Sequence, residues 1–186
     1  MARFRYYVAS SADGYIADER DNLDWLLEVE FDGQEESMSS FLAEVGALVM
    51  GADTYGWLLA HADGDWPYAD LPTWVFTHRE LAAFPGANLT FIRGDVSEWV
   101  DDIAEDAGGK DVWVVGGGSV AGQFVDGGFL DELIHFTVPV VLGGGKPLFA
   151  LRGTARLAEI SHTDHGRGVH ETRYDIVRPA PARPDS

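Results

Sequence analysis

Residues 112–120 read VWVVGGGSV. Four apolar, strand-forming side chains stop at three consecutive glycines, and a hydroxyl residue, Ser119, then opens a helix-like stretch to Val125. A buried strand running into a glycine turn and a helix is a unit of an α/β sheet, where ligands gather at the carboxyl ends of the strands. The glycines remove every Cβ from the turn, and the helix start leaves backbone N–H groups without partners, so the junction suits an anion. A tight turn that binds nothing is the plainer alternative.

Two familiar phosphate motifs do not fit. A P-loop needs GxxxxGK[ST], which neither GGGSV nor the later GGGKPLF supplies. Gly116, Gly118 and Ala121 match a GxGxxA variant of the Rossmann fingerprint, but that motif belongs to the first βα unit, and this run lies about two-thirds along the chain.

Outward from the glycines, short apolar runs alternate with helical patterns. Strands are expected at Phe4–Ser10, 47–51, 73–77, 88–92, 111–115 and Glu132–Val141. The stretch 170–177 alternates like an antiparallel edge or hairpin strand. Helices are expected over Glu35–Val45, from Ala52 onward, from a capping box at Asp95 and Glu98 to about Ala107, and over Ser119–Val125. Residues 11–22 read as a polar loop. One domain is expected over residues 1–178, followed by a Pro-rich, flexible tail at 179–186.

Composition narrows the function. Net charge is −18 with 13 Lys and Arg, only two of them lysine. That field opposes nucleic acid and anionic membranes. It fits a heavily solvated surface, including one adapted to a high-salt cytoplasm. The absence of cysteine excludes disulfides, thiolate metal sites and cysteine nucleophiles. No signal peptide and no run of about 18 apolar residues is found, so a cytoplasmic location without membrane association is expected. The histidines, His162, His165 and His170 among them, have no metal-ligand spacing, and no metal is expected.

Two further junctions resemble the first. In VMGADTY (49–55) Thr54 stands where a helix begins and can offer a hydroxyl and an N–H to a phosphate, or simply cap the helix. In VFTHRE (75–80) Thr77, His78 and Arg79 follow a strand, and a hydroxyl beside a guanidinium suits a terminal phosphate such as the 2′-phosphate of NADP.

Together with ASSADGYIA (9–17), VWVVGGGSVAGQF (112–124) and VPVVLGGGKPLF (138–149), these stretches resemble the dihydrofolate reductase-like superfamily. The similarity is strongest to its bacterial and archaeal branch, the RibD C-terminal domain family of riboflavin biosynthesis, and spans residues 3–177. It implies an α/β fold with a mostly parallel central sheet, an antiparallel C-terminal strand and flanking helices. It implies NADPH across the strand ends: Gly51 and Thr54 at the first phosphate turn, Thr77 and Arg79 at the 2′-phosphate, and Gly116, Gly117, Gly118, Ser119 and Val120 at the diphosphate. Asp13, Gly14 and Ile16 match the loop that closes over the nicotinamide. Ala52 departs from the pattern, since the family carries arginine there, and Asp53 adds an anion.

The resemblance implies reduction of a small heterocyclic or carbonyl substrate, with Asp13 and Glu36 as candidate catalytic residues. The position of the folate-type carboxylate stays open between Glu36 and Ser37, and Asp32, Glu35 and Glu36 also suit a helix N-terminus electrostatically. Trp25, Phe41 and His135 are candidate substrate contacts. Trp25 could stack on a flat ring or close the core, and His135 could equally be a core residue. A homodimer paired through sheet edges is expected. A folate reductase and a non-catalytic nucleotide-binding scaffold are the alternatives.

Overall fold

The computed structural model describes residues 1–178 apart from Asp32, Asp63 and Ala69. The expected tail at 179–186, and Asp32 at the mouth of the second helix, lie outside the described residues.

Its centre is an eight-stranded sheet in the order β5-β4-β3-β6-β1-β7-β10-β9. The strands β1 (Phe4–Ser11), β3 (Val45–Gly51), β4 (Thr73–Phe76), β5 (Leu89–Ile92), β6 (Asp111–Gly116) and β7 (Leu130–Val138) pair in parallel with their sheet neighbours. The last two, β9 (Arg156–Asp164) and β10 (His170–Val177), form a hairpin that joins the sheet antiparallel to β7. The expected C-terminal strand is therefore internal, and β9 is the edge. The short strands β2 (Tyr15–Ala17) and β8 (Lys146–Pro147) pair as a separate ribbon within segments read as loops.

β3 shows why the central strands form. Its VGALVMG run is buried almost throughout, as expected of a parallel strand covered on both faces. Ala47 and Val49 face one side, in a cluster with Ile103 of α4 (Val100–Asp106) and Val120 and Phe124 of α5 (Gly118–Asp126); Leu48 and Met50 face the other, where α2 (Gln34–Glu44), which follows the four-residue helix α1 (Asp24–Leu27) in the chain, contributes Phe41 and α3 (Ala52–His61) contributes Tyr55. On β1 the alternation is direct: Phe4 and Tyr6 enter a cluster with Phe124, while Tyr7 enters another with Phe41, Trp113 and Phe136.

The Asp95–Glu98 capping box is present, but it caps a 3₁₀ turn, Val96–Glu98, and α4 begins only at Val100. At the amino ends of the strands, Glu132 is buried and accepts hydrogen bonds from Arg5 Nε at 2.9 Å and Arg173 Nε at 2.8 Å. A buried carboxylate needs such partners, because removing one strands a charge at a cost of roughly 3–5 kcal/mol. This network closes the end of the sheet opposite the cleft described below. No described helix is long and apolar enough to cross a membrane.

Candidate functional site

At the carboxyl ends of β3 and β6, which are neighbours, two helices begin side by side. Gly51 precedes α3 and Gly117 precedes α5; each glycine is extended, and no side chain caps either helix. The first-turn N–H groups of Asp53 and Thr54, and of Ser119 and Val120, are thus left without side-chain acceptors. The starts are close: a Cβ at Gly116 would lie 3.4 Å from Thr54 Oγ1, and one at Gly117 would lie 3.8 Å from it.

The three glycines have different reasons. Gly116 holds φ of +147°, a conformation that side chains disfavour. Gly117 keeps the gap to Thr54 open, and Ile16 Cδ1 lies 3.8 Å from where its Cβ would be. Gly118 serves packing: a Cβ there would stand 2.1 Å from the carbonyl oxygen of Pro147. The segment after β8 crosses the start of α5, and Ala150 N donates to Gly118 O at 3.0 Å. The Gly116–Gly117 peptide is cis.

Thr77 and Arg79 stand at the end of β4. The Thr77 hydroxyl accepts from Arg79 N at 2.9 Å and donates to Arg79 O at 3.2 Å, so it shapes the turn that presents the guanidinium. That guanidinium bonds the Asp53 carboxylate, and both side chains are exposed. His78, Arg93 and Gly94 join the same end.

These groups open on one cleft of about 1790 Å³. Its other part lies between α2 and the sheet. There Tyr7, Trp113, Val115 and Phe136 form the floor, and Leu26, Val29, Phe31, Met38, Leu42 and Tyr68 form the walls, with Glu30, Glu35, Glu36 and Ser39 at the rim. Burial pushes the Tyr68 phenol up, so it stays protonated through the neutral range, and its hydroxyl bonds no other described residue. The Tyr7 hydroxyl meets Ser37 Oγ at 3.2 Å, and its phenol is likewise raised by burial.

The cleft therefore brings together Ile16, Glu36, Gly51, Thr54, Thr77, Arg79 and Gly116 to Val120. Asp13, Gly14, Trp25, Phe41 and His135 do not line it. Asp13 accepts from Ser11 Oγ at 2.6 Å and from the N–H groups of Leu142 and Gly143, which hold its carboxyl below the usual range. It is a clamp between two loops, with three donors on its two oxygens. Gly14, at φ +86°, accepts from Leu148 N at 2.9 Å. Phe41 is buried against Tyr7 and Trp113, with the Arg5 guanidinium 4.9 Å from its ring centre. His135 bonds Ser10 within the fold. Trp25 is half-buried, its Nε1 without a partner among the described residues.

Tyr68, Trp57, Arg93 and Gln123 also line the cleft, and no sequence pattern marks them; of the cations that the sequence offers as substrate-phosphate anchors, Lys146, Arg152 and Arg156, only Lys146 lines it. Tyr68 comes from the connection between α3 and β4, and no local pattern announces its approach to Trp113.

Known proteins agree with this architecture. Residues 61–170 match the family described as RibD C-terminal domain. The uncharacterized protein YwjB of Bacillus subtilis (strain 168) is 32% identical over 143 residues, 77% of this chain and 80% of that one. A candidate riboflavin biosynthesis protein from Shewanella sp. PV-4 superposes with a TM-score of 0.80 at 29% identity, over 96% of this chain and 100% of its own. The Thermotoga maritima diaminohydroxyphosphoribosylaminopyrimidine deaminase/5-amino-6-(5-phosphoribosylamino)uracil reductase gives 0.65 at 17%, covering 95% of this chain and 57% of that one. Dihydrofolate reductase from Enterococcus faecalis, complexed with NADP(H) and RAB-propyl, gives 0.61 at 14%, over 94% and 96%. With its dihydrofolate reductase-like sheet, and with both sequence and fold matched across most of its length, the chain belongs to the RibD C-terminal domain family, a reductase-like family related to the riboflavin biosynthesis reductases.

Proposed function

We propose that this chain is an NADPH-dependent oxidoreductase that reduces a small heterocyclic or carbonyl compound, related to 5-amino-6-(5-phosphoribosylamino)uracil reductase. One observation carries the reading: the paired, uncapped starts of α3 and α5 open on a single cleft with Arg79 at one end and an aromatic floor at the other. Helix starts of this kind attract diphosphates.

The residues fit a nicotinamide dinucleotide. Side chains at Gly116 or Gly117 would fill the gap beside Thr54, and without them the backbone can be approached closely. The N–H groups of Thr54, Ser119 and Val120 would hold the diphosphate, Arg79 and Thr77 the 2′-phosphate, and Ile16 the nicotinamide side. When bound, the coenzyme supplies a hydride. The chain's own task is then to orient the substrate on the Trp113–Phe136 floor, exclude water and pass a proton to the reduced atom. Among the described residues, Glu36 and the Tyr68 hydroxyl are the candidates for relaying that proton; Asp13 does not line the cleft.

Residues 1–178 form the reductase unit in this reading, acting in the cytoplasm as a homodimer. The edge strand β9 supports the dimer, with Leu157 and Ile160 exposed on it.

The test is thermal melting with NADPH, NADH or neither. A ligand at about one hundred times its dissociation constant adds roughly 2.7 kcal/mol, a rise of roughly 5–10 °C for this size. A larger rise with NADPH than with NADH supports the reading, and no rise with either overturns it.

A further inference from the structure

We propose that the substrate is a flat, uncharged or cationic carbonyl or imine compound without a phosphate group; this rests on the reductase reading above. The cleft keeps its charges apart. Arg79, Arg93 and His78 gather at the ends of β4 and β5, while among the described residues the carboxylates at the rim of the part between α2 and the sheet are Glu30, Glu35 and Glu36, all exposed. No lysine or arginine among the described residues lines that part.

Outside it, Arg167 is engaged by the rim: Nη1 donates to the Glu30 carbonyl at 3.2 Å and lies 3.9 Å from the Glu30 carboxylate. Lys146, the remaining lining cation, sits on β8 with Asp21 3.4 Å away. Among the described residues, a phosphate ester between α2 and the sheet would meet the rim carboxylates and no free guanidinium, an arrangement of like charges that disfavours binding.

The apolar surface points the same way. Tyr7, Trp113, Tyr68, Phe31 and Phe136 surround the space, with Met38 and Leu42 above them. Such rings hold a planar molecule by stacking and edge contacts, and they attract a cation over their faces. Reduction adds a hydride from the reduced nicotinamide to the carbonyl or imine carbon and a proton to its oxygen or nitrogen, leaving an alcohol or amine and the oxidised coenzyme. No charge on the substrate is required.

Three benzaldehydes that share the ring and the reducible carbonyl test this: 4-trimethylammonio-, unsubstituted and 4-carboxybenzaldehyde. Their binding is followed by quenching of tryptophan fluorescence without coenzyme, and their turnover by NADPH oxidation. The cation is expected to bind at least about tenfold more tightly than the anion, with the neutral aldehyde between, and the gap is expected to shrink to under about threefold in the Glu35→Gln/Glu36→Gln double variant. An anion that binds as well as the cation, or no binding of any of the three at millimolar concentration, overturns the inference. A preserved charge order without any NADPH effect on melting overturns the reductase reading, and with it the assignment of a reducible substrate, while the charge preference of the cleft stands.

Discussion

The Arg79 guanidinium donates to the Asp53 carboxylate, linking the end of β4 to the first turn of α3 at the mouth of the cleft. An exposed pair of this kind contributes little stability, about 0–1 kcal/mol. Its effect on an incoming anion is larger, because a phosphate must displace the carboxylate from Arg79 and then sit beside it. Ala52 supplies no compensating cation. Asp53→Asn is therefore expected to tighten NADPH about five- to tenfold and to leave NADH within about twofold, most clearly at low salt. Calorimetric titration at two ionic strengths checks this; equal gains for both coenzymes would mean that Asp53 does not act on the 2′-phosphate.

Tyr68 offers the cleft a protonated phenol with no described partner. Its ring packs edge-on against Trp113 and Trp66, so Tyr68→Phe keeps the packing and removes only the hydroxyl. If that hydroxyl passes the proton, kcat falls roughly 10- to 100-fold with KM little changed. An unchanged kcat assigns the proton to Glu36 or to solvent. The readout is steady-state reduction of the best aldehyde of the series above.

Two glycines on neighbouring helices separate packing from propensity. Gly118→Ala would drive a methyl into the Pro147 carbonyl at 2.1 Å, which forces apart α5 and the crossing segment. Overpacking of this kind is expected to cost about 3 kcal/mol, a fall of roughly 6–12 °C in Tm. Gly56 lies inside α3 with open space around its Cβ position. Gly56→Ala is expected to add roughly 0.5–1 kcal/mol. Calorimetry on the two variants checks the opposite signs.

The parts of this molecule that could be read in advance are those whose cause is local. β3 and β6 are uninterrupted apolar runs ended by glycine, so their burial and the helix starts after them were both visible in sequence. β9 was not, because every one of its nine residues is exposed and no apolar period marks it. β2 and β8 exist only by pairing with each other across about 130 residues. The same distance hides the site: Asp13, a catalytic candidate from sequence, is held by Leu142 and Gly143 in the segment between β7 and β8. Phe41 followed a helical period correctly, but its position on α2 turned it into the core rather than the cleft. A period tells which face is buried, and only the tertiary arrangement tells whether that face meets packing or an opening.

His135 provides a pH-dependent prediction. Ser10 Oγ lies 2.7 Å from His135 Nε2 and 3.0 Å from the Ser11 carbonyl, so the imidazole is tied to the hydroxyl by a hydrogen bond inside the fold. Burial lowers the imidazole from 6.5 to about 4. In the unfolded chain it titrates near 6.5, so below that pH the unfolded state takes up a proton that the folded state refuses. The stability tied to the neutral ring is complete above about pH 6.5 and is lost as pH falls towards 4, up to about 3 kcal/mol in all. His135→Gln keeps a hydrogen-bonding group beside Ser10 and cannot titrate. Relative to this variant, the parent chain is expected to lose about 2–3 kcal/mol between pH 7.5 and 4.5, measured by urea unfolding at each pH. Parallel pH profiles for the two chains would mean that the imidazole charges freely inside the fold, and that its contact with Ser10 does not depend on the neutral state.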